Sequence, residues 1–370
     1  AIKICFMADR LIIGAMSGTS ADGVDVALVR FGNANPPALV AHDGLSYPTA
    51  LREKILSLRS AGGGSFAELA FLAQAIAEIY ADAVHQLLRK SHIAAADVTA
   101  IAAHGQTLFH APPLTLQWID PTLLASRCGI DVVSDFRRAD CAVGGQGAPL
   151  VPFADALLFG HPSQRRIVLN LGGIANVTVL PGAGGAVTGS DTGPANCLSD
   201  ALMADQGGYD AGGATALSGK ANQAVVDRFT RDAYFAAPPP KSTDGPAMQA
   251  AFDRAASGVE WSQADAVATA AACCVMTVAH AIETHVGWLA GSFDCIVAGG
   301  GIRNAAVMDG LAQRGILCQS SDHFGVPAQA REAMAFAILG RATLDRQPAN
   351  IPSVTGASRA VVLGAITPKP

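Results

Sequence analysis

No basic run occurs anywhere in this 370-residue sequence, whose formal net charge is -5 and of which only 15% is charged. A chain with so little concentrated positive charge lacks the electrostatic footprint of a phosphate-backbone binder, so nucleic acid is not an expected partner. Also missing is any run of eighteen or so uninterrupted apolar residues, which argues against a membrane span. The first ten residues, AIKICFMADR, are too short and too interrupted for a signal peptide, and Met7 offers an alternative natural start. Eight cysteines are present, yet no CxxC, and the nine histidines show no metal-ligand spacing. The cysteines therefore read as small buried hydrophobes of a reducing cytoplasm. No Gly-Lys-Ser/Thr follows a glycine loop, so a Walker phosphate site is excluded.

What is there is apolar and rich in glycine. Half the residues are hydrophobic and 39 are glycine, a composition that fits close helix-on-sheet packing and several tight ligand loops. The length favours two domains of α/β type. One stretch organises the rest: LIIGAMSGTSADGVDVALV, residues 11–29. An apolar strand turns through Gly14, Ser17, Gly18, Thr19, Ser20, Asp22 and Gly23, and an alternating strand returns from Val24. Glycines let backbone amides approach a ligand, and hydroxyls donate to phosphate oxygens. Carboxylates at Asp22 and Asp25 would repel a bare phosphate, so the pairing points to a Mg²⁺-nucleotide. An ordinary polar hairpin turn is the competing reading.

Further along, a strand at 38–45 and helices at 49–59 and 66–90 are expected from periodicity. A short apolar strand, 98–103, delivers His104-Gly105-Gln106-Thr107 at its C-terminal end, where open α/β sheets place ligands; a hydrogen-bonded structural histidine is the alternative. Another buried strand leads into Asp135-Phe136-Arg137-Arg138-Ala139-Asp140 and the loop GGQGAPLVP. Paired arginines are usually solvated, but here they lie between a buried strand and a Gly-rich loop, as one facing an anionic ligand would. A second strand–turn–strand, RIVLNLGGIANVTVL, repeats the shape of the first, with Asn170 before the Gly172-Gly173 turn. Two related halves are therefore expected. Asp191 then falls in a glycine-flanked turn before a helix, placed either for chemistry or, with Thr192, as a helix cap. PPPKST reads as loop or lid, and Gly299-Gly300-Gly301 with Asn304 joins a buried strand to a helix, a surface for a flat ligand such as adenosine. The last long helix, 328–341, carries Glu332 in its first turns.

Eight blocks in order, AMSGTSADGVD, AHGQTLFH, SDFRRADCAVGGQGAPLVP, LNLGGIANVTVL, SDTGPAN, PPPKST, AGGGIRN and IPSVTGAS, resemble the anhydro-N-acetylmuramic acid kinases, and the resemblance runs over nearly the whole chain. That family belongs to the acetate and sugar kinase, heat-shock-70 and actin superfamily. The resemblance implies a two-domain, ribonuclease-H-like α/β fold with a central nucleotide cleft, domain I over residues 1–140 and 345–370 and domain II over 141–344. It implies an ATP- and Mg²⁺-using bacterial cytoplasmic enzyme that opens the 1,6-anhydro bridge of anhydro-N-acetylmuramic acid and phosphorylates O6, in cell-wall recycling, as a homodimer. Carried over by position, Gly18, Thr19, Ser20, Asp22 and Gly23 match the first phosphate loop, and Asn170, Gly172 and Gly173 the second. Gly299, Gly300, Gly301 and Asn304 match the nucleoside loop, Asp191 the catalytic base, and Ser17, His104, Arg137, Arg138 and Glu332 sugar-side positions.

This chain departs from the family pattern at Ala195, Ala139, Gly212 and the Asp244-Gly245-Pro246-Ala247 segment after PPPKST, all away from the base and the phosphate loops. Two other function classes compete. A nucleotide-switched clamp would need a peptide-binding module or polymer contacts, and a plain anhydrosugar hydrolase would not need three Gly-rich loops.

Overall fold

The computed structural model describes residues 9–32, 36–182, 184–287 and 292–370. Cys5, Met7 and nearly all of the N-terminal segment read for a signal peptide lie outside them. The chain divides into two compact units, residues 2–158 with 330–370, and residues 159–329. These breaks differ from the expected ones at 140/141 and 344/345. Asp140 explains the first difference: its buried carboxylate accepts from Gly147 N, Asn350 Nδ2 and Thr355 Oγ1, each at 2.7 Å, so the loop beyond it stays in the same body. The buried Arg331–Asp155 pair, with Arg331 Nε on Asp155 Oδ1 at 2.9 Å, likewise keeps the helices Val151–Leu158 and Arg331–Leu344 together.

In the first unit β1 (Arg10–Met16), β2 (Gly23–Phe31) and β3 (Ala38–Ser46) form an antiparallel meander. β4 (Val98–Ala103) runs parallel to β1, a separate hairpin joins β5 (Gln106–Ala111) to β6 (Leu114–Trp118), and β7 (Val132–Ser134) runs parallel to β4. Alternation decides the faces. Ile13, Ala15, Val24, Val26 and Leu28 pack with Leu72, Ile76, Tyr80 and Val84 of the Phe66–Ser91 helix. That helix starts on a complete capping box, Ser65 with Glu68. Gly14 faces the other way: a Cβ there would lie 1.8 Å from the Ala333 carbonyl, and one at Gly340 would lie 2.4 Å from Ala102 Cβ. A glycine on each partner thus lets the Arg331–Leu344 helix lie directly on β1 and β4, the close packing the glycine count suggested.

The second unit repeats the pattern. β8 (Arg166–Leu171), β9 (Ile174–Leu180) and β10 (Thr188–Pro194) form a meander, and β11 (Asp294–Ala298) and β12 (Cys318–Ser320) add in parallel on the other side of β8. Its order, β10-β9-β8-β11-β12, reproduces β3-β2-β1-β4-β7, and the first sheet adds only an antiparallel edge strand, β13 (Ala365–Thr367). The Gln263–Ala281 helix, capped by Ser262, packs on this sheet; the 263–284 segment is apolar enough by composition to cross a membrane, but 72% of it is buried inside the protein. The expected 328–341 helix runs instead over Arg331–Leu344, and the one expected from Cys197 ends at Leu202.

Candidate active site

The β1–β2 turn of the first unit is held from below. Ser17, 1% exposed, donates its hydroxyl to Gln106 Oε1 at 2.7 Å, and Gln106 Nε2 donates to the Gly18 carbonyl at 3.0 Å. Thr19 is exposed, its carbonyl accepting from Arg59 Nη1. At Gly18 a Cβ would meet nothing nearer than Ser20 Oγ at 3.7 Å, so that face of the turn is open. Gly18, Ser20, Asp22, Gly23, Asp25 and Glu332 line a cavity of about 480 Å³. Asp22 is ion-paired to Arg52 at 3.1 Å, whereas among the described residues the half-exposed Asp25 has His42, at 3.8 Å, as its one ion-pair candidate. Burial raises the Glu332 carboxyl, reinforced by Asp25 and Asp155 and opposed by Arg331 and Arg137.

His104 is buried, its ring tilted by 44° against that of Phe336 with centroids 4.6 Å apart. Its Nε2 accepts from Arg137 Nε at 2.9 Å, so its proton sits on Nδ1, which donates to the Gly105 carbonyl at 2.9 Å. Burial, and then the Arg137 charge, hold the imidazole far below its usual range, and it is neutral. Arg137 also donates to the Gly147 carbonyl at 3.2 Å, and burial lowers its pKa to about 10. Arg138 is not part of this group: its side chain is 67% exposed and bound to Asp135 at 2.8 Å. The first unit thus brings together Ser17, Gly18, His104 and Arg137, and, around the cavity, the hairpin tip with Glu332.

In the second unit Asp191 was expected in a turn. It lies on β10, in register with Asn176, just before a bulge at Thr192. Neither alternative cap is formed: Thr192 Oγ1 donates to the Ala175 carbonyl at 3.2 Å, and the helix Cys197–Leu202 starts after Asn196 without a side-chain cap. Asp191 Oδ2 instead accepts from Thr243 N at 3.0 Å, and its own N–H donates to Lys241 O at 3.1 Å. The PPPKST segment is therefore pinned beside the carboxylate, with Lys241 Nζ on the Tyr234 and Phe235 carbonyls at 2.8 and 3.1 Å. Burial raises Asp191 to about 6, the Thr243 amide offsetting part of the effect. A carboxyl so tuned takes up and releases protons near neutrality.

The Gly172–Gly173 turn is tied by its carbonyls to the amides of Ala195, Asn196 and Cys197, each at 3.0 Å, and Asn196 Nδ2 adds 2.8 Å to Gly172 O. This leaves Gly173 with nothing within 4 Å of a built Cβ. Gly299 has φ +87° and a Cβ there would lie 2.7 Å from Leu171 O, so the glycine loop can press against the end of β8, near Asn170. Gly300 faces outward. Asn304 caps the Ala305–Gln313 helix, accepting from Val307 N at 3.3 Å. Asn196, Gly212, Gly300 and Asn304 line a cavity of about 390 Å³.

Gln106, Asp140 and Asn196 carry this architecture and were not singled out from the sequence. The AHGQ, SDFRRAD and SDTGPAN blocks contain them, but nothing in those blocks marked the three as structural. Among the departures, Asp244 caps the Gly245–Ala256 helix through Ala247 N at 2.9 Å; contrary to the expectation that all lie away from the phosphate loops, buried Ala195 donates its amide to Gly173 O at 3.0 Å and Gly212 lines the 390 Å³ cavity.

A ribonuclease-H-like sheet present twice, each copy carrying a glycine-bearing hairpin, defines the acetate and sugar kinase, heat-shock-70 and actin class. Residues 10–369 match the family model for anhydro-N-acetylmuramic acid kinase, and the chain belongs to that family. Relatives of that name include those of Cupriavidus pinatubonensis, 45% identical with 96% of this chain and 98% of the relative covered, and Bordetella petrii, 46% identical with 97% and 96% covered. The one from Saccharophagus degradans is 40% identical, with 97% and 99% covered. A ROK family glucokinase from Streptomyces griseus, solved with glucose and AMPPNP, is 15% identical over 89% of this chain and 98% of its own, at a TM-score of 0.40, too distant to bear on the chemistry.

Proposed function

We infer that the chain uses ATP to open 1,6-anhydro-N-acetylmuramic acid with water and to phosphorylate its O6, giving N-acetylmuramic acid 6-phosphate for peptidoglycan recycling in the bacterial cytoplasm. The observation that carries this reading beyond family membership is Asp191: a single carboxylate raised to about 6 and held by one backbone amide suits a general base. Asp191 takes a proton from the water that attacks C1. The C1–O6 bond breaks, O6 bonds to the γ-phosphorus, and the bond to the β-phosphate oxygen breaks to release ADP. No second carboxylic acid is required, because the departing O6 is captured by phosphorus rather than by a proton.

On the nucleotide side, the open faces at Gly18 and Gly173 suit close approach of phosphate oxygens, with Thr19, Ser20, Asn170 and Gly172 beside them and Gly299, Gly300, Gly301 and Asn304 around the nucleoside. Among the described residues no group of three side chains could hold a metal by itself. Magnesium fits nonetheless, since it keeps waters and phosphate oxygens and needs only one or two carboxylates; Asp25 and Asp22 would hold it, and it supplies charge neutralisation of the triphosphate when bound. On the sugar side, His104, Ser17 and Glu332 supply polar contacts, and Arg137 rather than Arg138 faces the lactyl carboxylate, because Arg138 is already satisfied by Asp135 in solvent. The working molecule is a homodimer. The test is product analysis in ¹⁸O-water with γ-labelled ATP: label at both C1 oxygen and O6 phosphate is expected. A ring-opened sugar without phosphate, or ATP turnover indifferent to the sugar, would return the chain to the hydrolase or the switch class.

A further inference from the structure

The 390 Å³ cavity of the second unit has an aromatic wall that neither the motifs nor the mechanism accounts for. Tyr209 lines it with its side chain 64% exposed. The loop that carries it turns on four glycines and one anchoring carboxylate. Gly207 and Gly208 before it, and Gly212 and Gly213 after it, all adopt left-handed φ values, from +66° to +98°. The next residue, Asp210, is 8% exposed and anchors the loop by accepting from Thr215 N at 2.8 Å and Ala216 N at 3.0 Å. Among the described residues no ring or hydrogen-bond partner occupies Tyr209. Leaving so large a ring uncovered forgoes its burial, and an uncovered ring on an anchored loop is available to a ligand.

The cavity's chemistry says which end of a nucleotide belongs there. Asp200 and Asp210 line it, and its one cation, Arg303, is exposed, so phosphate is disfavoured and an uncharged base with a hydroxyl-bearing sugar is favoured. Asn196 fixes the direction: it lines the cavity and also donates to the Gly172 carbonyl of the phosphate hairpin. Polyphosphate therefore lies toward Gly172 and Gly173, and the base toward Tyr209. We propose that Tyr209 is the stacking platform for the nucleotide base in the cavity it lines with Gly300 and Asn304. This rests on the ATP-dependent reading above. Stacking uses the π-face that every base has, so Tyr209 contributes affinity without choosing between adenine and guanine.

The experiment measures ADP, GDP and tripolyphosphate binding by calorimetry to the full chain and to Tyr209→Ala and Tyr209→Phe. Loss of one base stack weakens binding about 5- to 150-fold. ADP and GDP should weaken by the same factor in Tyr209→Ala, tripolyphosphate should be unaffected, and Tyr209→Phe should bind like the parent. In turnover, KM for ATP should rise while kcat stays within about twofold, the signature of lost uniform binding. Unchanged ADP affinity in Tyr209→Ala overturns the proposal and leaves the kinase reading standing. A parent chain that binds no ADP at all overturns both. Equal weakening toward tripolyphosphate would make Tyr209 a structural element of the loop and also overturn the proposal.

Discussion

The two sheets share strand order and differ in where they keep their acid. In the first, the half-exposed Asp25 is the third residue of β2, with Gly44 of β3 as its cross-strand neighbour. In the second, the third residue of β9 is Asn176, and its neighbour on β10 is Asp191, partly buried and raised by desolvation to about 6. The carboxylate has moved one strand outward and into a less hydrated setting. An exposed carboxylate stays charged and suits a cation, whereas a buried one exchanges protons near neutrality. The turns diverge as well: six residues enclose a polar tip between β1 and β2, residues 17–22 with hydroxyls and Asp22, while only Gly172 and Gly173 separate β8 from β9. One scaffold thus supplies a charged, acid-lined turn in one copy and a glycine turn in the other, with the carboxyl of raised pKa on the edge strand of that sheet.

The sharpest break in that comparison is Asp191→Asn. It keeps the shape and removes the basicity, so kcat should fall by about two to four orders of magnitude with KM little changed. Stability should move the other way. The folded pKa of Asp191 lies above its unfolded value near 3.8, so the fold binds the extra proton and loses stability as pH rises from about 4 to 6. Above pH 6 the charged form costs at most about 3 kcal/mol, which the asparagine removes. Asp191→Asn should therefore melt higher than the parent at pH 8 and equally at pH 3.5. Turnover within tenfold of the parent, counting ring-opened and phosphorylated sugar alike, would strip Asp191 of the role of base.

Next in size is the phosphate hairpin of the first unit. At Gly18 neither φ nor neighbours forbid a side chain, since the nearest atom to a built Cβ is Ser20 Oγ at 3.7 Å. Gly18→Val should fold and melt like the parent yet lose nucleotide affinity by on the order of a hundredfold or more, the weight of one or two charge-assisted amide bonds. Gly173→Val, equally unobstructed, puts the same question to the second copy. Equal losses would make the two hairpins a shared clamp. A loss confined to one would show which copy carries the triphosphate, and normal ADP binding in a folded Gly18→Val would remove the first hairpin from the site.

The hairpins themselves were legible because alternating apolar strands around glycine turns are local signals, and β2, β4 and β8 lie close to where the pattern predicts; Gly14, expected in the turn, instead lies within β1, paired with Ala27 and Ala102, and β9 starts at Ile174 rather than Val177. The Asp191 segment was not. Gly189, Gly193 and Pro194 look like a turn, but β10 is an edge strand, where proline is tolerated, and Gly193, at φ +148°, follows the bulge at Thr192. The unit boundaries escaped for another reason. Asp140 is held by Asn350 and Thr355, 210 and 215 residues away, and no local pattern announces partners at that distance. For the same reason the pair Arg137–Arg138 could not be resolved from sequence: which guanidinium turns inward depends on His104, 33 residues upstream.

That inward turn sets the smallest effect and the finest comparison, within one unit rather than between two. Arg137 spends Nε on His104 and one Nη on Gly147 O, which fixes the plane of its guanidinium, and with a pKa of about 10 it stays charged at pH 7. A charge-assisted bond to the lactyl carboxylate is worth roughly 1.5–3 kcal/mol, about 10- to 150-fold in kcat/KM. Arg137→Ala should therefore lower efficiency on anhydro-N-acetylmuramic acid by that factor and leave the weaker efficiency on anhydro-N-acetylglucosamine, which lacks the lactyl group, nearly unchanged. Arg137→Lys should not rescue it, because an ammonium cannot hold His104 and Gly147 in the same plane while reaching a carboxylate. Arg138→Ala, an exposed residue paired with Asp135, should stay within about twofold on both sugars. If Arg137→Ala instead lost activity equally on the two sugars, the arginine would act by orienting His104 alone, and carboxylate recognition would have to come from another residue.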